Sequence, residues 1–167
     1  HLNESVLLGN TPHGIVYEEG TFTPYFRPVS GEFQNIEYND QYGYYVRRDN
    51  LVWVYGHLSV IGDTLNVGTA SGHLRIAGLP YICRASGVIY GYIGEGPRSF
   101  RWNVDEQVIG ITYRSIPAMA EVGLYKKIRP GDNIVNPSPD EQINVVHLLK
   151  SSGTHLNIVS FSFHYLI

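Results

Sequence analysis

QYGYYVRRDNLVWVYGHLSVI, residues Gln41 to Ile61, decides the fold. Its two arms, 41–48 and 51–61, alternate with a period of two and flank Asp49-Asn50, a pair suited to a two-residue hairpin turn. In the second arm Val52, Val54, Leu58 and Val60 share one face, with Gly56 between them. Leu51, Trp53, Tyr55, His57 and Ser59 share the other. The aliphatic face should lie in a core, and the aromatic-polar face should meet water, a second sheet or a partner chain.

Working outward, the same period continues. Strands are expected at Gly72–Ile76, at 87–93, at Phe100–Trp102, at Val108–Arg114 and at Val122–Lys127. Turns follow at Ala77-Gly78-Leu79-Pro80 and Gly94-Glu95-Gly96-Pro97. A loop rich in Pro, Asp and Asn covers 129–140. Two final strands are expected at 142–150 and 154–166, joined by Ser151-Ser152-Gly153. In the last, Val159, Phe161, Phe163, Tyr165 and Ile167 form one apolar face opposite Ser160, Ser162 and His164. An apolar strand of this kind is costly to leave wet, so it should insert in the core or press against another subunit. Many short strands without a helical pattern predict an all-β antiparallel sandwich of jelly-roll type.

The totals agree. Of 167 residues, 43% are apolar and 16% charged, as in a folded domain, and thirteen Tyr, eighteen Gly and nine Pro favour strands and turns. Twelve Lys and Arg against fifteen Asp and Glu leave a net charge of −3, which weighs against nucleic acid as a partner. No apolar run approaches the ~20 residues of a spanning helix, so the chain is not expected to be membrane-embedded. The single cysteine, Cys83, forms no intrachain disulfide and reads as a small buried residue. The opening at His1, without Met or signal peptide, is expected of a piece of a longer protein. Residues 1–15 have weak periodicity and read as a linker or stalk-docking arm; 16–167 read as the head domain.

Four segments, in order, resemble the head domains of tailed-bacteriophage tail fibres and tailspikes. Glu19-Gly20-Thr21-Phe22-Thr23-Pro24 is similar to that family's Glu-Gly-Thr-Trp-Thr-Pro opening. Gly43 to Val54 is similar to its Gly-x-Tyr-x-Arg-x-Gly-Asn-Leu-Val-x-Val hairpin. Leu74 to Tyr81 resembles its Ile-x-Gly-Leu-Pro-Phe turn, and Ile158 to Tyr165 its closing Phe-Ser-Gly-x-Tyr strand. Departures fall at Phe22 for Trp, Asp49 for Gly and His164 for a small residue. The resemblance implies a homotrimeric virion protein at the distal end of a fibre or spike. It would attach to host surface carbohydrate of the lipopolysaccharide or capsule type; the alternative is a trimerisation cap that stabilises the fibre without touching host.

Sugar binding needs an exposed aromatic beside carboxylate, guanidinium or amide groups. The loop-centred segment 90–106 offers Tyr90, Tyr92, Glu95, Arg98, Arg101, Trp102 and Asp105, unless Trp102 is core and the charges only solvate a loop. Tyr42, Tyr44, Trp53, Tyr55 and His57 make a second candidate, a face that serves packing within the sandwich, packing between subunits, or ligand. With Asp49-Asn50 as the turn, Tyr44 lies opposite Tyr55 and Tyr42 opposite His57. His147, His155 and His164 lie on the expected final hairpin, but without HxH or HExxH spacing no metal site is expected, and no cofactor. There is no GxSxG elbow. The pairs Glu18-Glu19 and Asp105-Glu106 point to opposite faces of a strand, unlike carboxylates that share a glycosidic bond. An enzyme is not expected, and any catalysis would belong to an upstream domain.

Overall fold

A computed structural model describes residues 15–84, 88–89, 91–93, 110–116, 118–127, 142–148 and 157–167. Ten strands run through these residues: β1 (Tyr17–Phe22), β2 (Tyr25–Ser30), β3 (Tyr38–Arg48), β4 (Leu51–Val60), β5 (Ser71–Ala77), β6 (Val88–Ile89), β7 (Gly91–Ile93), β8 (Gly110–Ser115), β9 (Val122–Lys127) and β10 (Ile158–Leu166). They pair antiparallel into two five-stranded sheets, ordered β1-β3-β4-β10-β7 and β2-β5-β9-β8-β6. No described helix is long and apolar enough to cross a membrane.

The β3–β4 hairpin has the expected register, Tyr44 opposite Tyr55 and Tyr42 opposite His57. Asp49 closes it in left-handed backbone, φ 52°, which Asp tolerates better than most residues. Alternation then sorts the side chains. Val52, Val54, Leu58 and Val60 are buried, and β10 adds Val159, Phe161, Phe163 and Tyr165 to the same layer. The second sheet answers with Phe26, Leu74, Ile76, Val122 and Leu124, and both sets belong to one hydrophobic cluster. The two sheets therefore share a core in the manner of a sandwich. The terminal strand is inserted in that core, flanked by β4 on one side and β7 on the other.

Three expectations are corrected. Within the strand expected at 87–93, the described residues form two short strands, β6 in one sheet and β7 in the other. Sandwich corners are commonly made this way, and period two cannot distinguish one strand from two that switch sheets. Of the strand expected at 142–150, the described residues 142–148 form instead two isolated bridges, His73 with Asn144 and Tyr125 with Gln142, followed by a 3-10 turn at Val145–His147. Here Asn144 N–H donates to the His147 ring (2.9 Å), while His147 N–H donates to Asn144 O (2.9 Å). That closes a local turn in competition with a ladder. Its buried residues, Ile143, Val145 and Leu148, imitate a strand for only two positions. His147 accordingly sits on no hairpin strand. Conversely, β1 and β2 lie before residue 41, where the sequence pattern predicts no strand.

The expected arm over 1–15 lies outside the described residues except for Ile15, and the expected strand Phe100–Trp102 and the loop 129–140 lie outside them entirely.

Candidate functional site

The register of the first sheet builds its outer face row by row. Tyr42, His57 and Ser160 form one row; Thr21, Tyr44, Tyr55 and Ser162 the next; Glu19, Val46, Trp53 and His164 the third; Tyr17, Arg48, Leu51 and Leu166 the last. The expected alternative of packing inside the sandwich is thereby excluded for the aromatic set, because the core takes the opposite face of the same strands. Tyr44 is 52% exposed, Tyr55 51% and Trp53 43%.

These rings interlock. Tyr44 and Tyr55 stack with centroids 6.2 Å apart, Tyr42 and His57 stack at 5.6 Å, and Tyr42 lies 6.0 Å from Tyr44. Trp53 leans on His164 at 6.5 Å. His57 Nδ1 is hydrogen-bonded to Ser160 Oγ at 2.6 Å, which fixes the imidazole against β10. Burial and the Tyr55 phenol push the Tyr42 hydroxyl above its ordinary pKa, so it stays a neutral donor and acceptor. The result is a broad apolar surface edged by hydroxyls and imidazole, able to stack on the ring of a sugar and hydrogen-bond its hydroxyls.

Of the loop-centred candidate, Tyr90, Glu95, Arg98, Arg101, Trp102 and Asp105 lie outside the described residues. Tyr92 belongs to β7, whose backbone pairs it with Ser162. The sheet thus brings the start of that loop into the same row as Tyr44 and Tyr55. Sequence alone could not disclose this, since nothing in it says that β10 separates β4 from β7.

A second constellation escaped sequence reading. Glu18, on the inner side of edge strand β1, accepts the Tyr45 hydroxyl at 2.5 Å and the Tyr81 hydroxyl at 2.6 Å. The Tyr45 bond, then the Tyr81 bond, hold the Glu18 carboxyl below its usual range, and Glu18 in turn pushes the Tyr45 hydroxyl up. The two rings meet edge to face at 5.8 Å. Arg47 lays its guanidinium over Tyr81, 4.9 Å from the ring centroid. A cleft of about 750 Å³ opens beside them, lined by Val16, Arg47, Asp49, Asn50, the 80–82 loop and Ile167. The only sequence signal was an Arg two residues before the Asp49-Asn50 turn.

On the second sheet Glu121, 6% exposed, accepts Arg27 Nη1 at 2.9 and 3.0 Å and Arg75 Nη1 at 2.9 Å. This ion triad ties β2 and β5 to the residue that precedes β9. Cys83 is buried, as expected, and burial pushes its thiol up to about 11. Among the described residues no three His, Cys, Asp or Glu side chains gather as metal ligands.

What these parts define is an all-β domain with a wet aromatic sheet face and a neighbouring cleft. No family profile matches the chain, and no curated protein is significantly similar to it. Among solved structures it is similar to the Dettilon tailspike protein (gp208), with a TM-score of 0.55 and 18% identity. The match covers 90% of this chain and 23% of that one, so the chain spans about a quarter of the tailspike's length. That likeness concerns the fold.

Proposed function

We propose that this chain is a head domain of a phage tail fibre or tailspike, at the distal end of the virion tail, that binds host surface carbohydrate. The jelly-roll reading of the two sheets and the assembly into a homotrimer are part of the proposal. The observation that carries it is the pair Tyr44 and Tyr55, stacked and half-exposed on an open sheet face. A protein gains little by leaving interlocked rings wet unless something covers them. The rings with the surrounding hydroxyls and His57 suit lipopolysaccharide or capsule sugars, bound without chemistry.

A second reading, the trimerisation cap, is favoured by the opposite end of the same face. There Val46, Trp53, Tyr17 and Leu166 are all exposed and mainly apolar, as a subunit contact would be. The two readings use different rows and are compatible.

The test combines glycan binding with mass. The 167-residue chain is applied to panels of bacterial lipopolysaccharides and capsular polysaccharides while light scattering reports its oligomeric state. Tyr55→Ala should lower glycan affinity by about tenfold, the worth of one aromatic contact, without changing mass. Trp53→Asp should dissociate the assembly. If no glycan binds and Tyr55→Ala dissociates the oligomer instead, the cap reading replaces the attachment reading.

A further inference from the structure

The cleft beside the hairpin turn is a shallow, open depression whose walls are fastened. Val16 N–H donates to Asp49 Oδ1 (3.0 Å) and Asp49 N–H to Val16 O (2.8 Å). Ile167 N–H donates to Asn50 O at 2.9 Å. Tyr81 is clipped from both sides by the Tyr165 hydroxyl, which accepts its N–H (3.2 Å) and donates to its carbonyl (3.0 Å). The cleft, about 750 Å³, lies largely open to solvent, so it would hold a sugar residue against its floor without enclosing it.

Its chemistry is selective. Arg47 is the one cation among the lining residues. Its Nε donates to the Asp49 carbonyl at 2.7 Å and its plane rests on Tyr81, so the guanidinium is held before any ligand arrives. Its charge also acts on Glu18, whose carboxyl it helps, after the two phenols, to hold below the usual range. A fixed guanidinium edge of this kind matches a carboxylate in bidentate fashion. Glu18, the nearby carboxylate behind Tyr81, is already satisfied by two phenols. Asp49 keeps its Oδ2 and Asn50 its side-chain amide, both suited to hydroxyl groups, while Pro80 and Ile82 supply an apolar wall. A phosphate dianion would meet Asp49 and Glu18 at close quarters and fits worse than a monoanion.

We infer that this cleft binds an acidic saccharide, a uronic or sialic acid residue whose carboxylate pairs with Arg47 and whose hydroxyls reach Asp49 and Asn50. The inference rests on the carbohydrate reading of the domain but concerns a site on another side of β3 from the aromatic rows. It gives the domain a means to prefer acidic host polysaccharides over neutral ones.

The test is amide chemical-shift mapping of the 167-residue chain, titrated to millimolar glucuronic acid, galacturonic acid or N-acetylneuraminic acid. Glucose, galactose, inorganic phosphate and a Glu-containing tripeptide serve as comparisons. At least one acidic sugar should give saturable shifts at Asn50, Tyr81 and Ile82, weakened about tenfold by Arg47→Gln and retained in Tyr55→Ala. Ile82→Trp, which fills the cleft without touching the charge, should also abolish them. The inference is overturned if neutral sugars, phosphate or the tripeptide bind there as well as the acids do, or if no acid gives saturable shifts. Shifts confined to Tyr44 and Tyr55 would overturn it while leaving the aromatic-face reading in place.

Discussion

Gly56→Ala should be among the most damaging single-methyl additions available in this domain. On the inner side of the first sheet, one row reads Phe22, Gly43, Gly56, Phe161 across β1, β3, β4 and β10. The two glycines form a trough, and the flanking rings fold over it, 6.4 Å apart. A Cβ on Gly56 would stand 2.3 Å from Phe161 Cζ and 2.9 Å from both Cε atoms. Phe161 is 1% exposed and has Phe163 at 5.5 Å, so the ring cannot swing aside. Gly56 needs no positive φ, which leaves the cost steric alone. Overpacking of this kind destabilises by about 2–3 kcal/mol, the upper part of the usual range. For a domain of this size that lowers the melting temperature by about 4–12 °C. Gly43→Ala places its Cβ 2.5 Å from Phe22, but that ring is only partly buried and can move outward, so the loss should be smaller. Calorimetry or denaturant titration of Gly56→Ala, Phe161→Leu and the double variant tests the cause. The double variant should recover at least about 1 kcal/mol relative to the sum of the singles. Additive losses, or a Gly56→Ala protein that melts with the wild type, would refute the steric reasoning.

Glu18→Gln should reduce stability at neutral pH and flatten its acid dependence. The fold lowers the Glu18 pKa, so its contribution is present above the ordinary carboxylate range and is lost as pH falls through the folded value. The melting difference from wild type should shrink between neutral pH and about pH 3, and a pH-independent difference would contradict the bonding described. Glu121→Ala should cost about 3 kcal/mol by urea titration, the low end for a broken buried pair because Arg27 is 39% exposed. Arg75→Met in that background should restore part of the loss, and failure to do so would show that charge is not the cause. Cys83 should resist thiol reagents at mildly alkaline pH in the native state and react only on unfolding, since its pKa stands at about 11. Rapid labelling of the folded protein would count against its burial.

The elements legible in sequence were those whose alternation is uninterrupted and whose turn has its own chemistry. Residues 41–61 meet both conditions, and their buried face and cross-strand pairs are as expected; the terminal strand buries the expected face but pairs with β4 and β7 and not with 142–148. Residues 87–93 failed because period two records which way side chains point and nothing about which sheet receives them, and 142–148 because the Asn144–His147 turn displaces a ladder while burying alternate residues. The sequence pattern predicts no β1 or β2 because their apolar positions are diluted by Glu18, Glu19, Arg27 and Pro28, of which Glu18 and Arg27 are placed by distant partners. The aromatic face was legible as a set of residues. That it lies outside the sandwich was not, because the burying layer is supplied by a sheet whose strands come from elsewhere in the chain. The cleft was invisible for the same reason: Arg47 meets Tyr81 only after the hairpin end and the 80–82 loop have been brought side by side.

The placement of β10 in the middle of its sheet has a kinetic consequence. His57 and Ser160, which face each other there, are 103 positions apart in the chain. During synthesis β4 waits with a bare edge until that late segment emerges and docks. Closing so long a loop is slow, and a waiting edge rich in valine is a template for the wrong neighbour. Expression that ends before residue 158 should therefore yield aggregates in place of a smaller soluble domain.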